Sequence, residues 1–286
     1  MEVTKVFKRF IALQIDYLSE ENEIKLADSC KKIFNRVGSL LISNPRPAED
    51  ETVDILIRIA SVLILLLESS QFLPECFKEV INHGFECIFS TITPELLLYP
   101  ELSTKFYEIL RATSCRPAAC LKLPPPTFAT MIKHLLNSLK VANPGGVMKC
   151  LEGLKHLLEF LSLNSEHPGW KVQLQAFPTL LEEIQQNLLQ LLASEETLPR
   201  SSFGFLSQCF YFLIVNAPTV YANCVTQLIR NTNEPQRTQL ATYFTQLSSE
   251  IDTTKAKQYP SAQYLSAFEQ KLQRFVCLYN SMLITK

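Results

Sequence analysis

The fold is decided most clearly by residues 144–163, PGGVMKCLEGLKHLLEFLSL. Apolar residues recur there every three or four positions, and on a helix of 3.6 residues per turn this spacing forms one stripe. The stripe comprises Val147, Leu151, Leu154, Leu158 and Leu161. The other side carries Lys149, Glu152, His156 and Glu159. The pattern therefore predicts an amphipathic helix that begins after the Pro144-Gly145-Gly146 turn.

The overall composition extends the helical prediction to the whole chain. Only 7 of the 286 residues are glycine, where an average protein would have about 7 % glycine, and 44 are leucine, a good helix former. Glycine supplies the positive φ angles of hairpin turns and phosphate-binding loops. The composition therefore predicts an all-α protein and argues against β-sandwiches, Rossmann folds and P-loop proteins.

The next apolar stripe predicts one long helix over residues 170–193. Its apolar members are Leu174, Phe177, Leu181, Ile184, Leu188 and Leu191. Its polar face carries Thr179, Glu182, Glu183, Gln186 and Gln190. The adjacent pair Glu182-Glu183 points about 100° apart on a helix, so we interpret it as a solvated acidic face and not as an acid/base pair.

Prolines and turn residues divide the chain into about a dozen predicted helices. These cover residues 2–18, 21–42, 52–69, 74–92, 101–114, 126–141, 146–163, 170–193, 201–215, 218–230, 235–251 and 260–283. Pairs of such helices match the 40–47 residues of HEAT and armadillo repeats, which predicts about six hairpins in one α-solenoid over residues 1–286. Residues 44–51 are predicted to form an acidic, proline-containing loop.

Charge and cysteine content limit the classes of partner and compartment. The formal net charge is −1, which argues against nucleic-acid binding. The nine cysteines show no CxxC spacing and lie mostly in apolar runs, which indicates buried, reduced thiols. No signal peptide is recognised, and the apolar run Ile55–Leu67 is shorter than a membrane span, so we predict a buried helix there.

The sequence shows no catalytic, cofactor or metal motif. The four histidines are scattered, and HExxH, GxSxG, Walker A, GxGxxG and DDxxD motifs are missing. His134 and His156 are predicted on solvated helix faces. Cys115 and Cys120 flank a turn, but further zinc ligands cannot be placed from the sequence. Trp170 and the aromatic helix over residues 201–215 are predicted to be core. We therefore expect a protein without catalytic, cofactor-binding or metal-binding residues and without a small-molecule substrate.

Residues 93–110, TPELLLYPELSTKFYEIL, resemble a segment of the nuclear transport receptors of the importin-β (karyopherin-β) superfamily. The similarity is greatest to the branch of exportin-4 and exportin-7. It rests on Leu97-Leu98, Tyr99-Pro100, Leu102, Phe106-Tyr107, Leu123-Pro124, Phe128 and the pair Leu135 and Leu139. The resemblance covers residues 75–286 and implies the C-terminal part of an exportin, present either as a fragment or as a short paralogue.

The resemblance implies a non-catalytic role in nucleocytoplasmic transport, in the nucleus and the cytoplasm. The implied partners are the GTPase Ran and protein cargo, with nucleoporins as further candidates. In the family, the second helix of each hairpin lines the concave surface, which here implies the helices at 126–141, 170–193, 218–230 and 260–283. The contact candidates are Lys133, Asn137, Lys140, Glu182, Glu183, Gln186, Gln190, Gln227, Arg230, Glu269, Gln270 and Gln273.

Two other readings stay open on the sequence alone. A HEAT/armadillo scaffold or complex subunit outside nuclear transport would have the same helical pattern, because such folds act through extended protein-binding surfaces. A helical enzyme of the terpenoid-synthase type would need the aspartate-rich metal motifs that the chain lacks. Ran dependence separates the transport receptor from the scaffold.

Overall fold

The computed structural model describes residues 19–43, 49–68, 75–141, 143–193, 200–249, 251 and 261–284. Within these ranges the regular structure is helical and no strand is formed, which confirms the predicted all-α fold class. Most helix contacts join helices one to three places apart in the chain, an order consistent with an α-solenoid.

The helices of the described residues are numbered in chain order. They are α1 (Glu20–Ser43), α2 (Glu49–Glu68), α3 (Glu75–Thr91), α4 (Pro100–Ser114), α5 (Pro117–Cys120), α6 (Pro125–Val141), α7 (Pro144–Leu163), α8 (Pro168–Ala176), α9 (Leu180–Ala193), α10 (Arg200–Asn216), α11 (Pro218–Arg230), α12 (Glu234–Ser249) and α13 (Ala262–Ile284). A short 3₁₀ turn, Leu96–Leu98, precedes α4.

Most predicted helix bounds agree with the structure to within about three residues, and the predicted helix 218–230 has the bounds of α11. The predicted helix 2–18 lies outside the described residues. The short α5 was not predicted. The predicted loop 44–51 is too long at its C-terminal side, because α2 begins at Glu49.

The predicted helix 170–193 is wrong as a single element, because Phe177, Pro178 and Thr179 separate α8 from α9. Proline lacks an amide hydrogen and disfavours helical geometry in the residue before it. Phe177 accordingly adopts φ −134° and ψ 80°. The buried face of α9 is also rotated from the predicted stripe and consists of Leu180, Ile184, Gln185, Leu188, Leu189 and Leu192.

The chain divides into two compact units, of which the first comprises Met1–Thr113 and Pro126–Ile132. Within it, α1 and α2 both pack against α3. Gly84 of α3 approaches the side chain of Leu63 of α2 so closely that a Cβ at position 84 would collide with it. Leu56, Leu63 and Leu66 have no exposed surface, which confirms that the apolar run of α2 is a buried helix.

The second unit comprises Ser114–Pro125 and Lys133–Lys286. In this unit α10 packs along α7 and also on α13, while α9 packs on α11. Asn216 of α10 donates through Nδ2 to the carbonyl of Leu158 of α7 at 3.0 Å. Trp170 and Phe210 are fully buried, as predicted for the core. Helices two or three places apart in the chain therefore pack side by side in this unit, as expected where helical hairpins stack on one another.

No single helix of the described residues is long and apolar enough to cross a membrane. Only residues 202–216 and 218–230 taken together, a pair bent by 114°, reach the required length and composition.

A candidate partner-binding groove between α9 and α11

The contact candidates from the sequence all lie in the second unit, and none of them is buried. The exposed ones are Lys133, Asn137, Lys140, Glu183, Gln190, Gln227, Arg230, Gln270 and Gln273. The half-buried ones are Glu182, Gln186 and Glu269. The helical periodicity therefore separated these positions from the core, although their role in binding stays a prediction.

Three of the candidates meet at one groove of about 400 Å³ between α9 and α11. They are Glu182 of α9 and the pair Gln227 and Arg230 of α11. The groove has one acidic group, one basic group and several amide and hydroxyl groups along its sides. Such a lining can hydrogen-bond to an extended polypeptide and form ion pairs with it.

The carboxylate of Glu182 is oriented by its own helix and faces α11. Gln186, one turn further along α9, donates through Nε2 to Oε1 of Glu182 at 3.1 Å. Burial raises the pKa of the Cys224 thiol on α11, and the negative charge of Glu182 raises it further. The carboxylate of Glu182 therefore lies close enough to α11 to act on a thiol of that helix. Gln186, which hydrogen-bonds to this carboxylate, does not line the groove.

The remaining candidates lie away from this groove. Glu183 accepts a hydrogen bond from Oγ1 of Thr179 at 2.8 Å, at the N-terminal end of α9. Lys133, Asn137 and Lys140 form an exposed face of α6. The α13 candidates are carried by a helix that packs chiefly on α10 and α12, with the Glu269 carboxylate beside Gly204 of α10. The structure therefore unites only part of the predicted set.

Val220, Asn223 and Thr226 complete the groove and were missed at the level of the sequence. Their spacing on α11 was the available signal, because residues 220, 223, 227 and 230 follow one another along a single helical face. The sequence of α11 does not indicate which helix packs beside it, so it could not show which face of α11 lies against α9.

A second group of side chains could hold a metal ion. Cys115, Glu152 and His156 bring one sulfur, one carboxylate oxygen and one ring nitrogen within 4.8 Å of one another. The sequence pointed instead to Cys120 as the neighbour of Cys115, and Cys120 is buried. Burial raises the pKa of its thiol and disfavours the thiolate that a metal requires. His156, predicted as solvated, is half-buried.

No family model matches the chain. Among curated proteins, Exportin-1 of Schizosaccharomyces pombe (strain 972 / ATCC 24843) is 26 % identical over 224 residues, which cover 74 % of this chain. The match supports a karyopherin/exportin-like relation. The matched region makes up 19 % of Exportin-1, so the chain corresponds to about a fifth of the length of this relative.

Proposed function

We propose that the chain is an exportin-like segment of a nuclear transport receptor, which binds protein cargo in response to Ran-GTP and catalyses no reaction. The observation that carries the proposal is the similarity to Exportin-1 over 74 % of the chain. The all-helical architecture supports it, because helical-repeat proteins act through extended surfaces. Within the superfamily, the motifs of residues 93–110 favour the exportin-4 and exportin-7 branch. The protein would then act in both nucleus and cytoplasm.

We place the cargo contact at the groove between α9 and α11. Glu182 lines it, and Glu183 adds a second carboxylate on the exposed side of α9. Opposite charges across an interface steer association and select partners. A cargo segment with basic residues therefore suits α9, while an acidic residue of the same segment would pair with Arg230 at the end of α11.

The first test measures binding of the 286-residue chain to purified Ran locked in the GTP form and in the GDP form. Cargo capture from nuclear extract is measured in parallel with each form and quantified by mass spectrometry. We expect binding that is selective for Ran-GTP and a set of captured proteins that changes with the nucleotide. Capture that is identical with both forms and without Ran would contradict the transport role and favour the scaffold reading.

The second test asks whether the groove carries the cargo contact. The double variant Gln227→Ala, Arg230→Ala should reduce Ran-GTP-dependent capture by about fivefold or more, since truncating an important interface arginine costs over 1 kcal/mol. The matched control is Arg36→Ala on α1, another exposed arginine. Equal capture by the double variant, the control and the unaltered chain would exclude the groove as the cargo site.

A further inference from the structure

Cys115, Glu152 and His156 form a compact cluster of three different metal-binding groups in the second unit. Their donor atoms all lie within 4.8 Å of one another. Each of the three residues is half-buried. The cluster is therefore reachable by an ion from solvent and at the same time partly shielded from water, which strengthens electrostatic attraction.

The packing of two helices explains why these residues meet. Glu152 and His156 are four residues apart on α7, so both side chains lie on the same face of that helix. Cys115 directly follows α4, and the short helix α5 that comes next packs on α7. The contact of α5 with α7 brings the preceding turn, and with it the Cys115 sulfur, to the Glu152 and His156 side chains.

We propose that this cluster binds Zn²⁺. A thiolate, an imidazole and a carboxylate are all common zinc ligands, and the thiolate selects zinc over harder cations such as magnesium. In a tetrahedral zinc site the donor atoms are about 3.5 Å apart. Because the observed separations reach at most 4.8 Å, the side chains would close by no more than ~1.3 Å. The fourth position is left for water or another donor.

The surroundings of His156 suit a metal ligand. Oε2 of Glu159 lies 3.7 Å from Nδ1 of His156. The same carboxylate oxygen lies 2.7 Å from Nζ of Lys155, which holds it in place. Zinc-bound histidines commonly donate the other ring N–H to a carboxylate. Here the 3.7 Å separation is longer than a hydrogen bond, so the carboxylate of Glu159 acts on the ring only as a nearby negative charge.

Zinc at this position would fasten the turn after α4 to α7. The ion would stabilise the folded chain by binding to it and not to the unfolded state. This role is independent of cargo and Ran, because the groove between α9 and α11 shares no residue with the cluster.

The test is titration of the 286-residue chain, freed of metal by chelation, with Zn²⁺ in a calorimeter and with Co²⁺ in a spectrophotometer. We expect one zinc per chain and a thiolate-to-cobalt charge-transfer band in the near ultraviolet. Cys115→Ser should abolish the band and lower zinc affinity by more than ~100-fold, because it removes a direct zinc ligand and the loss of a residue that only orients a ligand already costs up to ~100-fold. His156→Ala and Glu152→Gln should also lower the affinity.

Matched controls come from the same chain. His83 also lies near a glutamate on its own helix, with Nδ1 3.5 Å from Oε2 of Glu86, so His83→Ala tests for a general histidine effect. Cys277→Ser tests for binding by an exposed thiol. Neither change should alter zinc affinity. Circular dichroism identifies any variant that has lost its helices. If Cys115→Ser or His156→Ala does so, the zinc affinity of the nearly isosteric Glu152→Gln variant decides the test.

Two results would overturn the proposal. One is the lack of stoichiometric zinc binding by the unaltered chain. The other is a cobalt spectrum without a thiolate band, or with a band that disappears on loss of Cys277 instead of Cys115.

Discussion

At the scale of single residues, the most informative side chain is Gln173 of α8. It has no exposed surface. Its Nε2 donates to the carbonyls of Leu123 at 2.9 Å and Leu121 at 3.3 Å, in the segment after α5. Polar pattern alone would have placed this residue in solvent, because nothing local in the sequence indicates the two carbonyls that receive its hydrogen bonds.

Gln173→Leu should lower the free energy of unfolding by about 1–3 kcal/mol, because two carbonyl groups lose their buried donor. Trp170, the one tryptophan of the chain, is buried three residues away on the same helix and reports the transition by fluorescence in urea. The control is Gln175→Leu, at an exposed position of α8, which should change stability by less than about 0.5 kcal/mol. Equal urea midpoints for Gln173→Leu and Gln175→Leu would show that the hydrogen bonds of Gln173 do not stabilise the fold.

Gly169 at the start of α8 is required for close packing. A Cβ at this position would lie 2.8 Å from Cβ of Leu121 and 3.1 Å from Nδ1 of His167. Cβ of Leu121 is attached directly to the backbone, so it can move away only if the backbone of Leu121 shifts as well. Gly169→Ala should therefore cost about 1–3 kcal/mol, as overpacking does.

The comparison for Gly169→Ala is Gly145→Ala in the first turn of α7. There a Cβ would meet only Oδ1 of Asn143, at 3.5 Å, which is ordinary contact. Urea unfolding curves of the two variants should differ clearly, with Gly145→Ala within about 0.5 kcal/mol of the unaltered chain. A stable Gly169→Ala variant would show that Leu121 can shift.

At the scale of the helices, the N-terminus of α7 depends on a side-chain cap. Asn143 has extended backbone angles, φ −62° and ψ 164°, and Oδ1 of its side chain accepts from the Gly146 amide at 2.8 Å. Asn143→Ala should lower stability by about 1 kcal/mol, the usual cost of a lost cap. Asn143→Asp keeps the acceptor and adds a negative charge near the positive end of the helix.

We expect the thermal midpoint of Asn143→Asp to equal or exceed that of the unaltered chain, and that of Asn143→Ala to fall below both. Circular dichroism at the helix signal measures all three proteins. If the aspartate variant melts with the alanine variant, the side-chain cap is not what stabilises this helix end.

Most individual helices could be predicted from the sequence. Their presence is indicated by the spacing of apolar residues and by the positions of the prolines, which are properties of a short stretch of chain. The division at Pro178 was missed because the leucine spacing continues on both sides of it. The proline nevertheless enforces the break, since its effect on Phe177 is a local backbone effect that spacing does not register.

At the scale of the whole molecule, the packing of the helices sets the reactivity of the thiols. Burial raises the pKa of Cys87 to about 11 and the pKa values of Cys30 and Cys150 to about 12. These groups are therefore protonated at neutral pH, where only the thiolate is nucleophilic. Cys277 is exposed and Cys115 is half-buried, which corrects the expectation of buried cysteines for these two residues.

Iodoacetamide at pH 7 should modify Cys277 first and leave Cys30, Cys87 and Cys150 unmodified, as measured by peptide mass spectrometry. Because only the thiolate reacts, the rate of alkylation of a buried cysteine should rise only as the pH approaches its raised pKa. The rate for Cys87 should therefore rise at a lower pH than the rate for Cys150. Denaturant should expose all nine thiols to the reagent. Native labelling of Cys150 as fast as Cys277 would show that its helix opens readily.

The candidate site was predictable in part. Helical periodicity placed Glu182, Gln227 and Arg230 on faces outside the core, and the structure then brought them to one groove. The same periodicity did not unite them with Glu269, whose helix packs on α10 and α12. A helix pattern tells which side of an element avoids the core, but it carries no information on which element lies opposite.

The all-α class, the positions of most helices and the polarity of their faces follow from the amino-acid sequence, because each of these depends on residues a few positions apart. Which helices meet follows only from the packing of the folded chain. The contact of α5 with α7 joins Cys115 to Glu152 and His156, and the contact of α9 with α11 joins Glu182 to Arg230. Such sites are made of residues distant in the chain, and only the burial of whole helix faces brings them together.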